Sequence, residues 1–163
     1  MLPAATLDAA RDLLAALEAR RMALATAESC TGGLIAAALT AIPGSSAVVT
    51  RGYVTYSNDA KAEMLGVPAV LIGAVGAVSE EVARAMAEGA LRVSGADMAL
   101  SCTGIAGPGG ATPNKPVGLV YIGCATRAGA AVSRHVFPGD RAAVRAATVA
   151  EAFALALARL DDA

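Results

Sequence analysis

Residues 23–33 read Ala-Leu-Ala-Thr-Ala-Glu-Ser-Cys-Thr-Gly-Gly, an apolar run that leads into a serine turn and a glycine pair. The run over 22–27 predicts a β-strand, and the apolar residues that follow predict a helix over about 31–41, which Pro43-Gly44 ends. This strand–turn–helix unit places Ser29 near a helix N-terminus, whose free N–H groups and dipole favour anions. Ser29 is therefore a candidate nucleophile, and an ordinary Ser-x-x-Gly helix cap is the alternative.

The composition argues against several classes of partner. Hydrophobic residues make up 56% of the 163 residues, but there are only two Phe, three Tyr and no Trp to stack on bases. Thirteen basic and fourteen acidic residues give a net charge of −1 without a basic run, which disfavours binding to a nucleic-acid backbone. Cys30, Cys102, Cys124 and the single His135 lack the spacing of a zinc site or a disulfide framework. We expect no nucleic-acid partner, no metal and no cofactor.

The same residues predict a location. No apolar run reaches the ~18 residues that a membrane span needs, and the start Met-Leu-Pro lacks the basic and apolar regions of a signal peptide. Unpaired cysteines fit a reducing compartment. We therefore expect a cytoplasmic protein without membrane contact, folded as one domain over residues 1–163.

Strand and helix patterns alternate along the chain. Helices are predicted from Thr6 as cap over about 7–20, from Asn58 to Gly66, from Ser79 to Gly95, and from Asp140 to about Leu160. Strands are predicted over 48–56, 97–103, 117–125 and 131–137, and a linker through Gly73 and Gly76. The alternation, with a hairpin-like pair near the end, predicts an α/β fold, a three-layer α/β/α sandwich with a mixed, mostly parallel sheet. Ligands bind such sheets beyond the carboxyl ends of the strands.

Lys61 is the candidate base. Asp59 and Glu63 stand two positions away on its short helix and point elsewhere, so no local carboxylate pairs with the amine. A lysine acts as a base at neutral pH only when its pKa falls well below ~10.4, which desolvation can supply. A solvated surface lysine is the alternative. Tyr56 is placed to share a hydrogen-bond network with Lys61 or, alternatively, to pack in a strand.

A second glycine-rich segment, Thr103-Gly-Ile-Ala-Gly-Pro-Gly-Gly110, follows another predicted strand. Its prolines prevent the helix that a dinucleotide-binding loop requires, so the segment is either a phosphate or sugar loop or an ordinary connection. Arg141 and Arg145 are like charges four residues apart, which favours an anion between them or, alternatively, a solvated helix face. Cys30 is interpreted as a packing residue, because a catalytic thiol normally needs a base nearby.

Seven blocks of the chain together resemble the CinA C-terminal domain family, the nicotinamide mononucleotide deamidases, in a stand-alone form over about 7–160. The blocks are Ala-Glu-Ser-Cys-Thr-Gly-Gly at 27–33, Pro-Gly-Ser-Ser at 43–46, Tyr-Ser-Asn-Asp-Ala-Lys at 56–61, Gly-Ala-Val-Ser-Glu-Glu at 76–81, Thr-Gly-Ile-Ala-Gly-Pro-Gly-Gly at 103–110, Lys-Pro-Val-Gly at 115–118 and Gly-Asp-Arg at 139–141. The resemblance implies hydrolysis of the mononucleotide carboxamide to nicotinic acid mononucleotide and ammonia, as in NAD salvage. It also implies a serine–lysine mechanism on Ser29 and Lys61, with Tyr56 in support.

We expect the backbone N–H groups of 31–33 to stabilise the oxyanion and a set of neighbouring residues to bind the substrate. The expected substrate contacts are Glu28, Thr31, Gly32, Gly33, Arg51, Thr103, Gly104, Gly107, Gly109, Gly110, Arg141 and Arg145. Arg51 departs from the glycine that many relatives carry there, so it either reaches the ligand or is solvated. The alternative functions are a non-catalytic nucleotide-binding or competence/damage-associated interaction module, and a hydrolase of another small amide. We expect a homodimer.

Overall fold

The structure is a computed structural model that describes residues 2–163. Within these residues, five strands form one sheet: β1 (Leu24–Glu28), β2 (Val49–Val54), β3 (Met98–Gly104), β4 (Leu119–Thr126) and β5 (Gly129–Val136). Six α-helices of the same residues cover it: α1 (Ala4–Ala19), α2 (Leu34–Thr40), α3 (Asn58–Leu65), α4 (Ala69–Val75), α5 (Glu80–Ser94) and α6 (Arg141–Arg159). Short 3₁₀ turns occupy Ser45–Ala47 and Leu160–Asp162.

The sheet has the strand order β2-β1-β3-β4-β5. Strand β1 pairs in parallel with β2 and β3, whereas β3 with β4 and β4 with β5 are antiparallel. The expected mixed sheet is confirmed, and its parallel part is confined to β2, β1 and β3. Because parallel strands end at one edge of a sheet, the segments that follow Glu28, Val54 and Gly104 lie together.

Helices lie on both faces of the sheet, as the sandwich prediction requires. Helices α1, α2 and α6 share one apolar core, in which Leu39 and Phe153 are fully buried. Helices α3, α4 and α5 share the other, around Leu65 and Met86. Small aliphatic side chains fill both cores, in keeping with the scarcity of aromatic residues.

A close helix contact positions α3. A Cβ atom added at Gly89 of α5 would collide with the carbonyl oxygen of Leu65, the last residue of α3. Arg92 donates to the same carbonyl at 2.9 Å. Gly66 ends α3 in the left-handed conformation, with φ +69°, as predicted. This contact holds α3, which carries Lys61, against α5.

Two predicted caps were wrong. Thr6 lies inside α1, which begins at Ala4 with Pro3 at its N-cap. Proline is tolerated at the start of a helix because it has no N–H that would stay unpaired. Ser57 rather than Asn58 caps α3, since its hydroxyl accepts the N–H of Ala60 at 3.0 Å. The caps predicted at Ser79 and Asp140 are confirmed, each accepting an N–H from three residues ahead.

Two predicted boundaries also differ. Helix α2 begins at Leu34 rather than near residue 31, because Gly32 and Gly33 have φ of +56° and +105°, outside the right-handed helical region. The predicted linker through Gly73 contains helix α4, which buries Ile72 in the core next to α5. Within residues 2–163, no helix combines the length and the apolar character needed to cross a membrane.

Candidate active site

Ser29 and Lys61 meet at the edge where the parallel strands end. Ser29 directly follows β1, and Lys61 reaches it from α3, so that Nζ lies 3.1 Å from Oγ. The lysine is 1% and the serine 9% exposed. Nζ also donates to the carbonyl of Thr55 at 3.0 Å. A hydroxyl and a carbonyl therefore hold the amine in position, and no ion pair involves it among residues 2–163.

Burial lowers the pKa of Lys61, because the ammonium form loses its hydration. The thiols of Cys30 and Cys102 act on this pKa in the opposite direction but less strongly. Within residues 2–163, no carboxylate forms an ion pair with Lys61, and Asp59 and Glu63 are exposed, as the helical spacing predicted. The environment therefore shifts the amine toward its neutral form, and its nitrogen lies within hydrogen-bond distance of the serine hydroxyl.

The turn after β1 is held by its own backbone. Ser29 donates its N–H to the carbonyl of Cys102 on β3 at 3.1 Å, and Gly32 donates its N–H to the carbonyl of Ser29 at 3.0 Å. Positive φ at Gly32 and Gly33 permits this tight path. Gly33, which has no side chain, stands at the N-cap of α2, and the hydroxyl of Ser29 bonds to Lys61 and not to the N-terminus of this helix. The alternative interpretation of Ser29 as a helix cap is therefore not what the geometry shows.

Glu28 binds the start of α2 instead of facing the cavity. Its Oε1 accepts the N–H of Ile35 at 2.7 Å, and its Oε2 accepts the N–H of Ala36 at 3.0 Å. The hydroxyl of Thr31 donates to Oε1 at 2.6 Å and lies 3.0 Å from the sulfur of Cys102. Glu28 and Thr31 are both almost completely buried beneath the turn.

The N–H groups predicted for the oxyanion divide into two kinds. That of Gly32 is used within the turn. Those of Thr31 and Gly33 have no hydrogen-bond acceptor among residues 2–163, and the N–H of Cys30, which was not among the predicted donors, bonds to no other residue there. The turn therefore presents free donors on both sides of residue 32.

A cavity of about 260 Å³ opens over the serine and the lysine. It is lined by residues at or after the ends of the three parallel strands, by the α4–α5 connection and by the first residue of α6. These are Ser29, Cys30, Tyr56, Asn58, Lys61, Ala77, Val78, Thr103, Gly104, Ala106 and Arg141. Thr103 fixes one wall, since its hydroxyl donates to the carbonyl of Ala77 at 2.8 Å. Sequence reasoning missed Asn58, Ala77 and Val78, although the block at 76–81 contains the last two.

A second cavity of about 670 Å³ adjoins the first and shares Ala106 and Arg141 with it. Arg141 donates to the carbonyl of Gly107 and to the hydroxyl of Tyr56, both at 3.0 Å. Arg145 donates through Nη2 to the carbonyl of Thr31 at 2.9 Å, and its buried Nε has no partner among residues 2–163. The two arginines thus form a cationic wall beside the cavity over the serine, and their side-chain acceptors among residues 2–163 are all neutral.

Tyr56 lies at the mouth of the first cavity. Its side chain is 60% exposed, and the hydrogen bond of its hydroxyl is to Arg141, not to Ser29 or Lys61. Tyr56 therefore lines the same cavity as Ser29 and Lys61 and contacts the arginine wall.

Some predicted contacts are not brought to either cavity. Arg51 is exposed on β2, and its guanidinium lies 3.5 Å from the carbonyl of Val93 at the end of α5. Gly109 and Gly110 are exposed and line neither cavity, and Gly107 takes part through its carbonyl alone. The glycine-rich loop therefore contributes residues up to Pro108 to the two cavities, and its last two glycines lie outside them.

Cys30 lines the same cavity as Lys61, but no hydrogen bond among residues 2–163 joins its thiol to that amine or to another base. The Cys102 thiol, followed by burial, raises the pKa of the Cys30 thiol well above its ordinary value. His135 lies on β5, where it stacks on Phe137 with ring centroids 4.9 Å apart. Within residues 2–163, no group of three or more His, Cys, Asp or Glu side chains is arranged to hold a metal ion. The packing interpretation of Cys30 agrees with this geometry.

Comparisons with known sequences find one family. The family described as the CinA C-terminal domain matches residues 7–160. A CinA-like protein of Geobacter metallireducens is 56% identical over 131 residues, which are 80% of this chain and 32% of that protein. A putative competence-damage inducible protein of Symbiobacterium thermophilum is 51% identical over 148 residues, which are 85% of this chain and 35% of that protein. The chain spans about one third of the length of these curated relatives.

Solved structures agree with the sequence comparison. The competence/damage inducible protein CihA from Agrobacterium tumefaciens has a TM-score of 0.95 at 45% identity, covering 99% of this chain and 98% of that chain. A competence-damaged protein (CinA) superfamily protein from Escherichia coli has a TM-score of 0.90 at 34% identity, covering 96% and 94%. The similarity thus extends over nearly all of both chains.

Proposed function

The chain belongs to the CinA C-terminal domain family, and on that premise we propose that it is an amidohydrolase that converts nicotinamide mononucleotide to nicotinic acid mononucleotide and ammonia. The observation that carries the proposal is the 3.1 Å contact between Lys61 Nζ and Ser29 Oγ. The cavity in which they meet has no carboxylate among its described lining residues. The names of the relatives specify no reaction. The proposal therefore rests on the chemistry of this site and on the family resemblance.

Acylation begins with the neutral amine. Lys61 accepts the hydroxyl proton of Ser29 while Oγ attacks the carboxamide carbon and forms a C–O bond. The tetrahedral intermediate then collapses, the C–N bond breaks, and the ammonium of Lys61 donates the proton to the departing ammonia. The carbonyl of Thr55 keeps Nζ in line with Oγ throughout, because it accepts one of the amine hydrogens.

The oxyanion of that intermediate is assigned to the free N–H groups of the turn, at Cys30, Thr31 or Gly33. Loss of one such donor typically raises the barrier by ~3 kcal/mol. Water then attacks the acyl-enzyme with Lys61 again as the base, and the serine is regenerated with release of the carboxylate product.

Each of the two cavities binds a different part of the substrate. The smaller one, over Ser29, takes the carboxamide and its ring, and the larger one takes the ribose phosphate. A phosphate beside Arg141 and Arg145 would relieve the repulsion of their like charges and supply an acceptor for the unpartnered Nε of Arg145. This division explains why the arginine wall adjoins the nucleophile.

The test is release of ammonia from nicotinamide mononucleotide by the purified protein, with binding followed by calorimetry in parallel. We expect turnover by the wild type, loss of it in Ser29→Ala and Lys61→Met, and most of it retained in Cys30→Ala. Binding without ammonia release would instead support the non-catalytic module, and ammonia release from other amides alone would change the substrate. A fully active Ser29→Ala would overturn the mechanism.

A further inference from the structure

A buried carboxylate lies immediately next to the candidate nucleophile. Glu28 is 1% exposed and precedes Ser29 in the chain, yet no Lys or Arg of residues 2–163 forms an ion pair with it. A carboxylate removed from water is strongly destabilising unless hydrogen bonds or charges compensate it. The compensation here is three hydrogen bonds, from Thr31, Ile35 and Ala36, at 2.6 to 3.0 Å.

Two of these donors are backbone N–H groups in the first turn of α2. They would otherwise be unpaired, and the positive end of the helix dipole favours a negative charge at that point. The third donor is the hydroxyl of Thr31, in the middle of the turn that contains Ser29. The carboxylate thus ties the nucleophile turn to the helix that follows it.

The backbone of the same residue reaches the base. The carbonyl of Glu28 accepts the N–H of Thr55 at 2.8 Å, and the carbonyl of Thr55 accepts a hydrogen from Lys61 Nζ at 3.0 Å. Glu28 is therefore linked to the serine turn through its side chain and to the lysine through the backbone of a single residue, Thr55.

The side-chain directions keep the two charges apart. Successive residues of a strand point to opposite faces of the sheet, and Glu28 bonds to α2 on one face while Ser29 meets Lys61 on the other. A carboxylate facing the amine would favour the ammonium form and raise its pKa. Glu28 stabilises the turn without taking that position.

From this geometry we propose that Glu28 is a positioning residue, which fixes Ser29 relative to Lys61 and is held away from the amine by the N-terminus of α2. The proposal rests on the proposed function for its main assay. It differs from a substrate contact, because the carboxylate is already fully bonded, and from a counter-ion of Lys61, because it lies on the other face of the sheet.

The test compares Glu28→Gln, Thr31→Val and Thr31→Ser. Glutamine keeps the shape of the side chain but turns an N–H group toward the N–H of Ala36, so we expect kcat to fall about a hundredfold with KM within about twofold. Thr31→Val removes the hydroxyl and should lower kcat by about tenfold, and Thr31→Ser should restore it. The pH at which activity rises should stay at the wild-type value in all three.

The outcomes separate the possible roles. Unchanged kcat in Glu28→Gln, or no rescue by Thr31→Ser, would overturn the positioning role. A rise in KM alone would indicate a substrate contact, and a shift of the pH profile to lower pH in Glu28→Gln would indicate a counter-ion of Lys61. If Glu28→Gln does not fold, as judged by thermal unfolding, the Thr31 pair decides the question.

A second assay separates this proposal from the proposed function. Acylation of Ser29 by p-nitrophenyl acetate, followed by release of p-nitrophenolate, requires the serine and the lysine but no nucleotide. If the mononucleotide is not hydrolysed while the ester reacts in a Ser29-dependent way, the substrate assignment fails and the same variants test Glu28 on the ester. If the ester reaction also does not depend on Ser29, both proposals fail.

Discussion

The parallel and the antiparallel halves of the sheet contribute differently to the site. In the parallel half, β1, β2 and β3 all end at one edge, so Ser29, Thr55 and Thr103 come together there. In the antiparallel half, neighbouring strands run in opposite directions, and neither β4 nor β5 supplies a residue of the described cavity over the serine. Strand direction therefore brings these strand ends together at one edge, to which helices α3 and α6 add Lys61 and Arg141.

The largest expected effect on activity comes from replacing Ser29. Ser29→Ala should lower kcat for the mononucleotide by about 10⁴-fold or more, because it removes the attacking oxygen. Ser133→Ala on β5 is the matched control, since among residues 2–163 that hydroxyl bonds to His135 alone, and it should leave kcat unchanged. Steady-state ammonia release measures both, and equal losses in the two variants would break the distinction between the halves.

Lys61→Met should follow, with a loss of about 10³-fold in kcat because the proton acceptor is gone. The same change replaces a buried amine by an apolar side chain of similar length, so we expect the free energy of unfolding to rise by about 1 kcal/mol, or about 2–4 °C in Tm. Ammonia release measures the expected loss of activity, and calorimetry measures the expected gain in stability. A variant that is both active and less stable would show that the amine has a structural role only.

Arg145→Met should affect binding more than chemistry. Loss of a charge-assisted hydrogen bond to phosphate should raise KM by about 10- to 100-fold with a smaller change in kcat. Arg134→Met, an exposed arginine of β5, provides the comparison in the antiparallel half and should leave KM unchanged. If both variants raise KM equally, the substrate responds to overall charge and not to the arginine wall.

The smallest change in activity is expected within β4. Ile122 is fully buried, and Ile122→Val should lower the free energy of unfolding by about 0.5–1.5 kcal/mol through the methylene it removes. Denaturant unfolding measures that loss, and kcat should stay at the wild-type value. A clear fall in kcat at this position would mean that the antiparallel half takes part in the chemistry.

Much of the architecture follows from local patterns in the sequence. The caps at Ser79 and Asp140, the stop at Gly66 and the late antiparallel pair each depend on a few adjacent residues, and all were predicted correctly. Helix α4 was missed because Gly73 and Gly76 indicate a linker, whereas burial of Ile72 against the second core stabilises a short helix. Tertiary packing overrides local preference there.

The sequence predicted several residues that lie at the site, but not which of them contact one another. The sequence motifs indicate Ser29 and Lys61 as candidates, yet the contact between them depends on the close approach of α3 to α5 at Gly89, which no local pattern contains. Glu28 was expected to contact the substrate. Its carboxylate bonds instead to α2, which starts three residues later than the apolar pattern indicated.

The central claim is that Lys61 is neutral when it meets Ser29, and the pKa of its amine tests that claim most directly. The chain contains two lysines, Lys61 and Lys115, so a carbon-13 label at Cε gives two NMR signals, and the spectrum of Lys61→Met assigns them. Because burial lowers the pKa, the Lys61 signal should titrate below the ordinary lysine value of ~10.4, and activity should rise with pH over that same range. At a pH between the pKa of Lys61 in the folded protein and its pKa in the unfolded chain, the amine is protonated in the unfolded chain and neutral in the folded protein. The free energy of unfolding should therefore also rise with pH over that range. A Lys61 signal that titrates at or above the ordinary value would contradict the account.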